Sequence, residues 1–184
     1  MKTYQSVRYT IALLVLLLTV GGCSLVLEGG MSAEASGATS VPGSPPPAGD
    51  RARVIYVIDG DTIEVEVNGA RRRVRYVGVN TPESDQACYR EATNANRALV
   101  EGQTVVLVRD QSDTDRFDRL LRYVYLLDGT FVNERLVRDG WAEAVEYRPD
   151  TRHTARFRDI EVEAARARRG CHPTGIFDDG TLTR

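Results

Sequence analysis

The stretch from Thr62 to Val79 constrains the fold more than any other part of the chain, because it reads as a β-hairpin. Ile63, Val65 and Val67 alternate with Glu64 and Glu66, the period of a strand with one buried face. Asn68-Gly69 follows, a strong hairpin signal because a type I′ turn needs positive φ at both central positions. The chain returns through Arg71 to Val79, with Val74, Tyr76 and Val77 set among charged residues. A β-branched run from Val54 to Ile58 precedes the hairpin and is broken by Asp59-Gly60-Asp61. Thr104–Arg109 and Leu120–Leu127 read as two further strands, separated by a polar loop.

Helical spacing covers Ala87–Glu101 and stops at Gly102, a residue suited to the left-handed position past a helix end. A short helix is predicted over Phe131–Asp139 and a longer amphipathic one over Thr151–Arg169, each followed by glycine. Five strands, one helix after the third and two at the end give an α+β, mainly β class: a five-stranded barrel with three packed helices. The OB-fold is a five-stranded barrel of this kind, although strand count alone fits other α+β folds.

The first 23 residues have the layout of an export signal. Lys2 and Arg8 supply positive charge, Ile11–Val20 is an apolar run, and Val20-Gly21-Gly22-Cys23 ends it. The run is shorter than the roughly 20 apolar residues of a spanning helix. Small residues before a cysteine resemble the bacterial lipobox, which implies lipidation at Cys23 and a membrane lipoprotein held outside the cytoplasm. Residues 24–50, rich in Gly, Ser, Ala and Pro, read as a tether with too little apolar surface to fold. Residues 51–172 then form one domain, and 173–184 a tail.

With Cys23 assigned to lipid, Cys88 and Cys171 remain as an even pair. In an oxidising compartment the expectation is a disulfide between them. The formal charge of −2 becomes −4 once Lys2 and Arg8 of the leader are subtracted, so the total gives no field favouring a nucleic acid. A local arginine clamp is a separate matter, and Arg suits phosphate geometrically. The two histidines, His153 and His172, stand far from the motifs below and read as structural or surface residues. Nothing in the sequence indicates a protein partner, and a monomer is expected.

Three segments carry candidate chemistry. Asp59-Gly60-Asp61-Thr62 places two carboxylates on a tight turn; these are hard oxygen ligands for calcium or magnesium, though Asp and Gly also favour an ordinary turn. Arg75 sits inside an apolar strand that leads to Asn80-Thr81-Pro82-Glu83, where a stiffened turn presents a carboxylate able to serve as a general base. Asp115-Arg116-Phe117-Asp118-Arg119 brings another guanidinium to the start of a strand, placed to grip a phosphate.

In this order and at these intervals, the three segments resemble the staphylococcal nuclease family. Val132-Asn133-Glu134 and the Tyr147-Arg148-Pro149 turn extend the likeness. The resemblance implies an OB-type barrel with three helices. It implies calcium held by Asp61, Asn80 and the Thr81 carbonyl. It implies catalysis by Arg75, Glu83 and Arg119, with Tyr147 and Phe117 against the substrate, and cleavage of DNA or RNA leaving 3′-phosphate ends. Three positions depart from the best-known members: Asn80 and Val145 stand for an aspartate and a tyrosine, and Phe117 for a tyrosine. The Asn80 change removes a charge from the metal site and predicts weaker calcium binding, with Asp59 able to compensate. Two other readings compete: a non-catalytic barrel binding single-stranded nucleic acid, and a surface lipoprotein without turnover. The survival of Arg75, Glu83 and Arg119 together favours the enzyme.

Overall fold

The computed structural model describes residues 44–178. The leader, Cys23, most of the tether and residues 179–184 therefore lie outside the described residues. Strand β1 (Asp50–Val57) pairs antiparallel with β2 (Thr62–Val67), and β2 with β3 (Ala70–Tyr76). The Asn68-Gly69 turn has positive φ at both residues, 52° and 75°, as the sequence demands. Strands β5 (Thr104–Val108) and β6 (Leu120–Leu126) pair with each other. The barrel closes in the order β1-β2-β3-β6-β5, with β3 and β6 parallel and the other pairs antiparallel. Ile63 and Val65 are fully buried and Val67 nearly so, so the alternating face is the core face.

Strand β1 begins at Asp50, which pairs with Leu107, so the ladder takes up the last residue assigned to the tether. The returning strand stops at Tyr76, short of the predicted Val79, because Gly78 adopts φ +78°. A Cβ there would come within 3.0 Å of the Phe157 ring. After this break, β4 (Val79–Asn80) pairs with a second two-residue strand, β7 (Glu143–Ala144). Neither is long enough to show a period.

Helix α1 (Tyr89–Val100) packs beside β1, while α2 (Val132–Arg138) lies against β6 and α3 (Thr154–Arg166). Tyr123, Phe131, His153 and Phe157 form an aromatic cluster between β6 and the two later helices. The expected disulfide joins Cys88 to Cys171, 83 residues apart. It ties the entry of α1 to the end of the domain.

Candidate active site

The acidic turn between β1 and β2 is fixed from three sides. Asp59 Oδ1 accepts the Asp61 N–H at 3.0 Å. Asn96 of α1 donates to the Asp59 carbonyl at 2.9 Å and accepts from the Tyr76 hydroxyl at 3.0 Å. Gly60 lets the turn press on Thr81, since a Cβ at that position would meet the Thr81 side chain at 2.7 Å. Asp61 is buried, and its Oδ2 accepts the Thr81 N–H at 2.9 Å and the Thr81 hydroxyl at 3.1 Å. Two segments separated by 20 residues are thereby held as one surface.

Arg75 is 4% exposed, and a buried guanidinium must find partners for its donors. Its Nε lies 3.1 Å from Asp61 Oδ1. Nη1 donates to the carbonyls of Tyr76 and Val79 at 2.6 and 2.8 Å, and Nη2 to Asn80 Oδ1 at 3.2 Å. The break at Gly78 curls the chain back so that these carbonyls face the arginine that precedes them.

Arg119 is held differently. Its Nε and Nη2 both reach Asp115 Oδ2 at 2.7 Å, while Asp115 Oδ1 accepts the backbone N–H groups of Phe117 and Arg119. Burial works against the Asp115 carboxylate, but these donors outweigh it and hold the carboxyl below its ordinary range. Glu83 is exposed, and its turn is closed by its own N–H donating to Gln86 Oε1 at 2.6 Å.

Arg75, Glu83 and Arg119 line one cleft of about 240 Å³, with Asp59, Asp61, Thr62, Thr81, Pro82 and Phe117. Of the residues singled out from the sequence, Asn80 and Tyr147 are not in this lining. The Asn80 carbonyl oxygen is turned to Arg75, and its amide donates to Glu143 Oε1 at 2.8 Å. Tyr147 packs against the core and bridges to Asp150. The sequence reading missed Glu143 and the anchoring role of Asp115. A two-residue strand gives no signal for the first. The second was in view as the opening residue of the Asp115–Arg119 motif.

The cleft's own residues bear on whether it can hold a hard divalent ion. Burial, and next the charge of Asp61, push the Asp59 carboxyl up to about 6. That repulsion between neighbouring carboxylates is what a bound cation relieves. Among the described residues no group of three His, Cys, Asp or Glu side chains converges as a metal site. The donor set is two carboxylates supplemented by neutral oxygens, which fits a calcium ion that keeps water in its shell.

Comparison with known sequences decides the family. The profile of staphylococcal nuclease homologues matches residues 73–171. The chain belongs to the staphylococcal nuclease family. It is 35% identical over 123 residues to a thermonuclease of Staphylococcus hyicus, covering 64% of this chain and 72% of that one. It is 41% identical over 115 residues to endonuclease YncB of Bacillus subtilis (strain 168), and 42% identical over 94 residues to an uncharacterized endonuclease of Escherichia coli. Those two matches cover 58% and 51% of this chain, and only 54% and 60% of the relatives' own length. The match to the family profile begins inside β3, so Asp59 and Asp61 join the site through the fold rather than through the matched segment.

Proposed function

We propose that this family member is a nuclease, a hydrolase of phosphodiester bonds in DNA or RNA, that works with calcium and leaves 3′-phosphate ends. The observation that carries the reading is the shared cleft: Arg75 and Arg119, from β3 and from the loop entering β6, open onto the same space as Glu83.

In this reading the scissile phosphate lies between the two guanidiniums. Attack on phosphorus builds negative charge on the phosphoryl oxygens, and donors fixed beforehand stabilise that charge without reorganising. Arg75 is fixed by four acceptors, and Arg119 by two of its nitrogens on one oxygen of Asp115. Glu83, on the solvent side, takes the proton of the attacking water. Asp61 and Asp59, with the Thr81 carbonyl, would hold calcium, which when bound adds positive charge at the phosphoryl oxygens. Cleavage of the P–O5′ bond leaves the phosphate on the 3′ side, and the departing 5′ oxygen takes a proton from solvent water. The leader is proposed to place this enzyme outside the cytoplasm on a lipid at Cys23; Cys23→Ala is then expected to release the protein from membrane fractions.

The test is digestion of single-stranded DNA and RNA by the purified chain in calcium and in chelator, beside Glu83→Gln. The expected loss in kcat for Glu83→Gln is about 10²- to 10⁴-fold. Undiminished turnover in Glu83→Gln would reject the assigned base, and absence of turnover in the parent under every divalent ion would leave the non-catalytic binding barrel.

A further inference from the structure

Strand β3 carries three arginines ahead of Arg75 that the proposed mechanism does not use. Arg71, Arg72 and Arg73 line a second groove of about 270 Å³ with Glu64, Phe117 and Asp118. The two cavities adjoin, since Phe117 lines both. We propose that this groove holds the single-stranded polynucleotide beside the scissile bond, with Arg71 and Arg73 gripping successive backbone phosphates. The proposal rests on the nuclease reading of the cleft and extends it from one phosphate to several.

Strand geometry makes the first argument. Val74 and Tyr76 are fully buried in the barrel. Side chains alternate across a strand, so Arg71, Arg73 and Arg75 share the other face of β3. Their step along the strand is about 6.6 Å, twice the rise per residue. That step is comparable to the separation of neighbouring phosphates in an extended single strand. A backbone seated at Arg75 and running along β3 would meet a guanidinium at each phosphate. Arg119 directly precedes Leu120, the register partner of Val74, so it flanks this row from the neighbouring strand.

Electrostatics makes the second. Arg71 is 71% exposed and pairs with Glu64 at a loose 3.6 Å. Arg72 pairs at 3.4 Å with Asp118, itself 85% exposed. Arg73 is exposed and forms no ion pair among the described residues. Pairs this exposed are weak, so a phosphate can take over their guanidiniums, and three arginines outnumber the two carboxylates of the lining. Phe117 makes the third. It is 55% exposed, stands between the cavities, and carries Arg116 over its ring at 4.7 Å. An exposed ring beside basic side chains is the combination that single strands use for stacking. A duplex would not offer a free base to it.

The experiment compares the parent chain with the Arg71→Ala/Arg73→Ala double variant on a single strand of about 12 nucleotides, within the span of one barrel of this type, and on a dinucleotide. The dinucleotide has one phosphodiester and reaches only the cleft. The expected result is a fall on the order of tenfold in the ratio of kcat/KM for the longer substrate over the dinucleotide, carried by KM. Binding of the longer strand, read by fluorescence anisotropy in chelator, should lose about 1.4 from the slope of log K against log salt, two contacts at roughly 0.7 each. Arg71→Lys/Arg73→Lys should keep most of that slope. Equal losses on both substrates, or an unchanged salt slope, overturn the groove and leave Arg71 and Arg73 as partners of Glu64 and Glu66 on the sheet face. If the parent hydrolyses neither substrate, the nuclease reading fails by itself, and the anisotropy slope still decides the groove.

Discussion

Asn80 and Glu143 face each other across the β4–β7 pair, and the Asn80 amide donates to the Glu143 carboxylate at 2.8 Å with both residues buried. The neutral amide is what lets this contact form, since a carboxylate at position 80 has no N–H to give. An aspartate at 80 would set a second carboxylate against Glu143 out of reach of water. Asn80→Asp is therefore expected to destabilise the fold by about 1–3 kcal/mol, the order expected for exchanging a buried hydrogen bond for like-charge repulsion, rather than simply to improve the metal site. Glu143→Gln in the same chain should recover part of the loss, because the glutamine amide can donate to the new carboxylate. Thermal melts of the two single variants and the double variant make the cycle, and additive losses would remove the coupling.

Asp115 governs where Arg119 points. Asp115→Asn keeps the shape but gives up the charge that holds both Nε and Nη2. The expected outcome is a fall in kcat of about 10- to 100-fold, equivalent to roughly 1.4–2.7 kcal/mol of barrier. The melting temperature should fall by only a few degrees, since the Arg119 side chain stays about a quarter exposed. Steady-state kinetics beside a melt separate the two effects.

His153 sets a lower pH limit on stability. It packs against Tyr123, Phe131 and Phe157. Burial first, and then the charges of Arg152 and Arg156, hold its pKa below the ordinary value, against the opposing charges of Asp110 and Glu134. The unfolded chain therefore binds this proton more readily than the folded one. Stability from this group is complete above pH of about 6.5 and declines as pH falls from there to the depressed folded value. Between pH 7 and 5 the denaturant midpoint of the parent should drop relative to that of His153→Phe, and the difference between the two isolates this group.

The Cys88–Cys171 bond closes a loop of 83 residues. A loop of that length restricts the unfolded chain enough to be worth about 4 kcal/mol. Cys88→Ala/Cys171→Ala, or the parent under reductant, should melt roughly 10 °C lower. A melt insensitive to reductant would show that the bond adds nothing to the packed domain.

Much of this is legible in the sequence. Period-two alternation marks Ile63, Val65 and Val67 as core and Asn68-Gly69 marks the turn, while the grouping of the acids and arginines comes only as an implication of the family resemblance. The misreadings have a common cause in contacts remote along the chain. The strand through Tyr76 ends early at Gly78, whose φ of +78° breaks it and where the Phe157 ring leaves no room for a Cβ. Helix α1 starts at Tyr89 rather than Ala87 because Cys88, held by its distant partner, takes φ 71°. Helix α3 starts at Thr154 rather than Thr151, after His153 has joined the aromatic cluster. Glu143 was invisible because its importance comes wholly from the residue across a two-residue ladder.

The pairing of β3 with β6 is the seam along which the barrel is sewn shut, and it carries Arg75 on one side and the approach to Arg119 on the other. Parallel neighbours cannot be joined by a tight turn; here the chain travels through β4, α1 and β5 before it returns. A half-assembled barrel would hold every reactive side chain and still have no place for a phosphate. Turnover thus reports more than chemistry: it signals that the last lap of the chain has come home.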